Sequence, residues 1–495
     1  MRTRTHLHRP CIVFALWAVT SCGRGPAQPD GVAPGDVTQD AVAWDDVAPG
    51  LDSVSLDSAG YDAPSMDVAP ADTPPIDTAS TDVRAGDATT DTGPTIVDPS
   101  TLTDRLIMGY QGWFAALGDG SRIGHWVHWS RMTQPSATNV TFDAWPDLTE
   151  WADTETYATG FTYADGRVAR LYSAYDARTV DRHFQWMQTY GIDGVWLQRF
   201  ISELGDPRFY DFRDRVTENV RAAAEARGRV FAIEYDISGS AESTLVATLQ
   251  ADWMHLVDTL RVTASGRYLR HRGRPVLAIW GLGFTDRPGT PAQANAIIDW
   301  FTRDAPVQYR VTLVGGVPSR WRTLQDDSRT DPAWAAVYRR FHVIHPWMVG
   351  RFATDADVVN YRRTFIEPDI AEARRVGAEY MPVIFPGFSW ANLMPGQPLN
   401  QIPRRGGAFW WRQLFEFRTA GCTMFFGAMF DEVDEGTAMF KIAPTRAQSP
   451  RERPFLTLDA DGMTLPSDWY LRLAGAGTRV LRGELPLTAT IPIRP

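Results

Sequence analysis

The chain has little cysteine, almost no lysine and, over most of its length, no net charge. Three cysteines occur in 495 residues. Cys11 and Cys22 lie near the start, which leaves Cys422 alone in the main part of the chain. No disulfide can staple that part, so its fold rests on an apolar core. Lys441 is the only lysine among 49 basic residues, a bias that genomic base composition explains. The net charge of −10 belongs to one segment. Residues 1–29 hold four arginines and no acid, and residues 30–100 hold fifteen aspartates, Arg84 and no glutamate. Residues 101–495 therefore balance, with 44 basic and 44 acidic side chains. A neutral domain has no electrostatic footprint for nucleic acid. No glycine-rich phosphate loop follows the first apolar strand, which disfavours a nucleotide-binding fold. No Gly-x-Ser-x-Gly elbow supports an esterase triad. His125 and His128 stand three apart with no further ligand near them in sequence, so they read as loop or groove wall rather than a metal pair.

The two ends of the N-terminal region have different roles. Arg2, Arg4 and Arg9 precede an apolar run at 11–19, too short to span a bilayer, as in a secretory signal. Val19-Thr20-Ser21-Cys22 resembles a bacterial lipobox. The resemblance implies cleavage before Cys22 and lipidation of that residue, and Gly23 in place of Asp implies the outer membrane. Acyl chains anchor by burying methylenes, at about 0.8 kcal/mol each. In residues 23–100 Asp recurs every five positions from Asp52 to Asp87. Five matches neither the helical nor the strand period. The segment is expected to be a disordered Asp/Ala/Pro/Thr-rich tether with a reach of roughly 50 Å. It lacks the glutamate an EF-hand loop needs.

Residues 101–495 alternate short apolar runs with helical patterns. The runs fall at 106–110, 194–199, 230–236, 275–280, 311–316, 342–347, 380–385 and 423–430. Helical spacing falls at 180–190, 209–227, 245–262, 292–303, 333–339, 356–376 and 409–419. Such alternation predicts an α/β fold with a parallel sheet, and its count and length predict a (β/α)8 TIM barrel behind the acidic tether. Chemistry in that fold sits just past the strand ends. The residues there are Tyr110 and Trp113, Gln198 and Arg199, Glu234 and Asp236, Trp280, Trp347, Phe388 and Trp390, then Asp431 to Glu435. Aromatic rings stack on sugar faces, and amides and carboxylates bond hydroxyls. With seventeen Trp in residues 101–495, this rim points to carbohydrate rather than to a phosphorylated metabolite.

The sharpest cluster is Asp431-Glu432-Val433-Asp434-Glu435-Gly436-Thr437, directly after the last apolar run. Glycosidic cleavage uses two carboxyl groups, one protonated and one charged. Glu432 and Glu435, three apart, would face one way on a helical turn with Cβ atoms roughly 5–6 Å apart. Crowding of like charges would raise one pKa and prepare the acid.

Phe385-Pro386-Gly387-Phe388, then Arg404-Arg405-Gly406-Gly407, Phe409-Trp410-Trp411 and the Glu-x-x-Glu-Gly-Thr block resemble the last third of glycoside hydrolase family 99. Residues 105–475 as a whole resemble bacterial family 71/99-like proteins, through Gly109-Tyr110-Gln111-Gly112-Trp113-Phe114 and the segment 175–200. The family motif reads Asn-Glu-Trp-His-Glu-Gly-Thr. The resemblance implies that Glu432 acts as base on the sugar's own 2-hydroxyl, and that Glu435 is general acid and later base, with net retention. The motif's Asn is Asp431 here, and its Trp-His pair is Val433-Asp434. Mannose specificity is therefore not carried over, and an inverting scheme with Asp434 as base stays open.

The sequence thus leads to an exported, lipid-anchored glycoside hydrolase, monomeric, needing no cofactor or metal. Its partners are a polysaccharide or glycan substrate and, through Cys22 alone, a membrane. Glu432 and Glu435 are the candidate catalytic pair. Tyr110, Trp113, Gln198, Arg199, Glu234, Asp236, Trp347, Phe388, Trp390, Asp431 and Asp434 are candidate substrate contacts. The alternative is a non-catalytic glycan-binding lipoprotein on the same barrel.

Overall fold

A strand whose two faces are both covered reads as a continuous apolar run. Gly194–Phe200 shows this, with every residue buried, because one face meets the barrel interior and the other meets helices. The structure, a computed structural model, describes residues 96–495. The signal at 1–22, Cys22 and the tether as far as residue 95 lie outside the described residues. The folded part reaches back beyond the expected boundary at 101. Val97 is buried, its N–H donates to the Gly228 carbonyl (3.0 Å), and Arg267 donates to its carbonyl.

The barrel strands are β1 (Arg105–Tyr110), β2 (Gly194–Phe200), β3 (Val230–Asp236), β4 (Arg274–Trp280), β5 (Thr312–Val317), β6 (Val343–Pro346), β7 in two halves (Glu379–Tyr380 and Val383–Ile384) and β8 (Met424–Gly427). Each pairs in parallel with the next, and β1 pairs with both β2 and β8. The first half of β7 pairs with β6 and the second half with β8. The bridging residues continue the pattern: Met381 N–H donates to Ile344, and the Pro382 carbonyl accepts from Phe426. The ring of pairings therefore closes, as the (β/α)8 reading requires.

The helices between strands are α1 (Ala177–Tyr190), α2 (Pro207–Arg227), α3 (Leu245–Asp258), α4 (Pro291–Asp299), α5 (Ala333–Tyr338), α6 (Asp355–Tyr361), α7 (Glu367–Arg375) and α8 (Ala408–Thr419). A π-helical turn, Arg362–Ile366, joins α6 to α7. Local chemistry sets the ends. In α2, Asp206 caps the Arg208 N–H, Pro207 fills the first turn, and Gly228 closes the helix at φ 62°.

The helix after β8, α9 (Trp469–Leu481), has no counterpart among the expected helices. Two glycines hide it, since glycine lowers helix propensity. They are there for packing: α9 lies against α1, α8 and β1. A Cβ on Gly475 would fall 1.8 Å from the Tyr190 carbonyl oxygen, and one on Gly477 2.8 Å from the Trp410 ring. A mid-helix Gly→Ala change normally stabilises by about 1 kcal/mol. Here Gly475→Ala is expected to destabilise by at least ~1–3 kcal/mol through overpacking. Thermal denaturation checks the sign, and a raised melting temperature would contradict this packing.

Candidate active site

The period-2 alternation of side chains sorts the strand-end candidates. On β2, Trp196, Gln198 and Phe200 share one face and Arg199 takes the other. Trp196 packs on His345 (ring centroids 5.5 Å apart) and Phe426 (5.3 Å) inside the barrel. Gln198, on the same face, donates its amide to Glu234 of β3, directly opposite in register. Asp236 shares the inward face. Arg199 points outward instead, between α2 and α3, bonded to Asp252 (2.7 Å) and Asp214 (2.8 Å). Tyr110 also turns outward: it is fully buried, and its hydroxyl meets His183 Nδ1 of α1 at 2.9 Å. Both were expected to touch substrate; their side chains are occupied in packing the barrel against its helices.

Past β8, the expected helical turn is a single four-residue turn, Val433 to Gly436, closed by the Gly436 N–H on the Val433 carbonyl (3.3 Å). Gly436 has φ 63°, and a Cβ there would crowd Ser389. Asp431, Glu432 and Asp434 are buried; Glu435 is half-buried. The Asp431 carboxylate accepts the N–H groups of Gln111 (2.7 Å) and Gly112 (3.0 Å), which ties this turn to the end of β1. With each oxygen accepting one N–H, Asp431 braces the turn against the end of β1. Burial still pushes its carboxyl up to about 6.

Burial and the adjacent Glu435 charge push the Glu432 carboxyl well above the usual range, against hydrogen bonds from Gln111 and Thr437. Asp434 is raised by burial and then by Glu432, Glu435 and Asp431. Its Oδ2 meets His128 Nδ1 at 3.1 Å. His128 lies flat on Trp113, with centroids 3.7 Å apart and planes 5° apart, and Trp113 in turn stacks on Phe200 at 5.2 Å. A tryptophan–imidazole stack thus reaches Asp434 from the loop after β1.

Phe388 and Trp390 pack edge to face at 5.1 Å, and Trp347 meets Trp280 edge-on at 5.6 Å. Glu234, fully buried, is pushed up to about 8 by burial and the Asp236 charge, opposed by the Gln198 bond. The structure therefore gathers Trp113, Gln198, Glu234, Asp236, Trp347, Phe388 and Trp390 with the carboxylate turn at the C-terminal end of the barrel. Sequence reasoning missed Gln111 and Arg213 as site residues and gave His128 only as loop or groove wall. Gln111 carried a positional signal, directly after a strand. His128 carried only its spacing from His125. Arg213, mid-helix in α2, carried none, yet it bonds the Gln111 carbonyl (3.1 Å) and Glu203. Among the described residues no group of three or more His, Cys, Asp or Glu side chains is arranged to hold a metal ion.

The raised Glu234 has a consequence for stability. A carboxyl with a folded pKa above its unfolded value favours the protonated native state. Its contribution is full below about 4.5 and is lost as pH rises to about 8. Glu234→Gln is expected to remove a pH-dependent loss on the order of 3–5 kcal/mol over that window. Thermal denaturation at pH 5 and pH 8 reads it, and wild-type and variant curves with equal pH dependence would contradict it.

No protein-family model matches the chain, and no curated protein matches it. Solved structures do. The GH99 endo-alpha-mannosidase from Bacteroides thetaiotaomicron aligns with 77% of this chain and 99% of its own, at TM-score 0.56 and 13% identity. The same enzyme in complex with bis-tris-propane aligns over the same shares at TM-score 0.55 and 14% identity. At that identity the likeness establishes the architecture alone: this chain shares the barrel fold of that structure.

Proposed function

We propose that the chain is a glycoside hydrolase that cleaves O-glycosidic bonds within a polysaccharide or glycan, with Glu432 and Glu435 as its catalytic carboxyls. The observation that carries this reading is their pairing past β8: two interacting carboxyl groups, one raised by burial and by its neighbour, beside aromatic rings at the catalytic end of a barrel. The scheme needs one proton shared between the two as the reaction begins. At rest burial favours that proton on Glu432. Glycan binding at Glu435 then draws it across, leaving Glu435 as acid and Glu432 as base.

In the reaction Glu435 donates its proton to the glycosidic oxygen as the bond to the anomeric carbon breaks. Glu432 takes the proton of the sugar's 2-hydroxyl, whose oxygen bonds the anomeric carbon. Water then attacks that carbon and gives its proton to Glu435, as the bond from the carbon to the 2-oxygen breaks and Glu432 returns its proton to that oxygen. Two displacements give net retention. The engagement of Asp434 with His128 favours this scheme over inversion through Asp434. The structural neighbour's name makes α-mannan the first polymer to try, and an endo mode suits a chain tethered through a lipidated Cys22 at the outer membrane. The glycan-binding alternative leaves the carboxylate pairing without a purpose.

Release of reducing sugar from a polysaccharide panel tests the activity. Glu435→Gln is expected to cost most with poor leaving groups and far less with an activated aryl glycoside, which departs without protonation. Glu432→Gln is expected to cost similarly with both. Each loss should be on the order of 3–6 kcal/mol of barrier. Wild-type rates in both variants would place the active site elsewhere.

A further inference from the structure

His128 is held as a functional side chain is held. Its backbone lies in the left-handed region at φ 62°, which costs a non-glycine residue about 1–2 kcal/mol. The Thr141 hydroxyl, donating to its carbonyl at 2.6 Å, fixes that conformation. Observed strain of this kind concentrates at ligand sites. Trp113 covers one face of the ring and Phe114 meets it edge-on at 6.2 Å. Nδ1 is taken by Asp434 at 3.1 Å. Nε2 makes no hydrogen bond among the described residues and is not sealed, and the side chain keeps 19% of its surface exposed. Asp434 stands beside Glu435 in sequence and feels its charge. The open nitrogen is therefore carried on a ring that is held against Asp434, the residue that precedes the proposed acid, and that cannot turn away.

We propose that His128 is a substrate-contacting residue, its Nε2 hydrogen-bonding a hydroxyl of the sugar bound beside Glu435, with Asp434 as the positioning residue that fixes the ring. This rests on the glycosidase reading of the same site. It also gives Asp434 a role other than base: one oxygen meets the ring, and the other is buried with no hydrogen-bond partner among the described residues.

Two isosteres separate contact from packing. Glutamine sets its amide where Nε2 lies, and asparagine sets its amide where Nδ1 lies. In the full-length protein acting on yeast α-mannan, or on whichever panel glycan the wild type cleaves, His128→Ala and His128→Asn are expected to lower kcat/KM roughly 10- to 100-fold, the scale of a lost substrate hydrogen bond. His128→Gln is expected to recover most of that loss. Recovery by Asn and not by Gln would make His128 a mere partner of Asp434 and overturn the proposal, as would wild-type kinetics in all three.

A second measurement needs no turnover. Diethylpyrocarbonate should modify His128 and spare His345 and His183, which are fully buried, with mannan or the cleaved glycan protecting His128. An unreactive His128, or one that no glycan on the panel protects, overturns the inference. Failure of the glycosidase reading shows itself separately, as absent cleavage by a wild type whose His128 still reacts and is protected.

Discussion

One turn of chain holds Asp431, Glu432, Asp434 and Glu435 together, three of them buried, and much of the site is arranged to make that tolerable. Burial disfavours each charge, and each charge disfavours its neighbours. The burial is compensated by braces. Asp431 receives two backbone N–H groups. Arg404, itself buried, donates to the carbonyls of Gly436 and Ala438 at 2.7 Å each. The Val433 carbonyl accepts from Asp143 and Ala144, and the Glu435 carbonyl from Ser389. Burial and mutual repulsion raise the Glu432 and Asp434 carboxyls, which favours their protonated forms.

The same braces place the aromatic wall. Asp143, in the long segment between β1 and α1, is fully buried. Its carboxylate accepts from the Ser389 hydroxyl (2.5 Å) and from the N–H groups of Ala391 (2.7 Å) and Asn392 (2.8 Å). Ser389 lies between Phe388 and Trp390, so one side chain fixes the aromatic pair against the carboxylate turn. Around Asp143 the segment packs Trp129, Phe142 and Trp145 with Phe455. Trp129 and Trp145 thus serve to fold a loop that frames the site.

Strand positions were legible because buried parallel strands are short, apolar and regularly separated by helices. The carboxylate turn was legible because chemistry needs that spacing and it follows a strand. Which of two adjacent strand-end residues faces inward was not, as Gln198 and Arg199 show: both suit a sugar, and only the pairing register separates them. Tyr110 misled in the same way. Contacts across more than a hundred positions leave little mark in a single sequence. Arg213 at Gln111, His128 at Asp434 and Asp143 at Ser389 are of this kind. Helix α9 was obscured because its glycines are chosen for close approach rather than for helix propensity.

The account stands on the turn after β8 being where the glycan is cut. A crystal structure of the Glu435→Gln variant with an uncleaved oligosaccharide tests this most directly. The glycosidic oxygen is expected within hydrogen-bond distance of residue 435, with Glu432 on the side of the sugar that carries the 2-hydroxyl. An oligosaccharide bound elsewhere on the barrel, with no sugar touching residues 432 or 435, would contradict it.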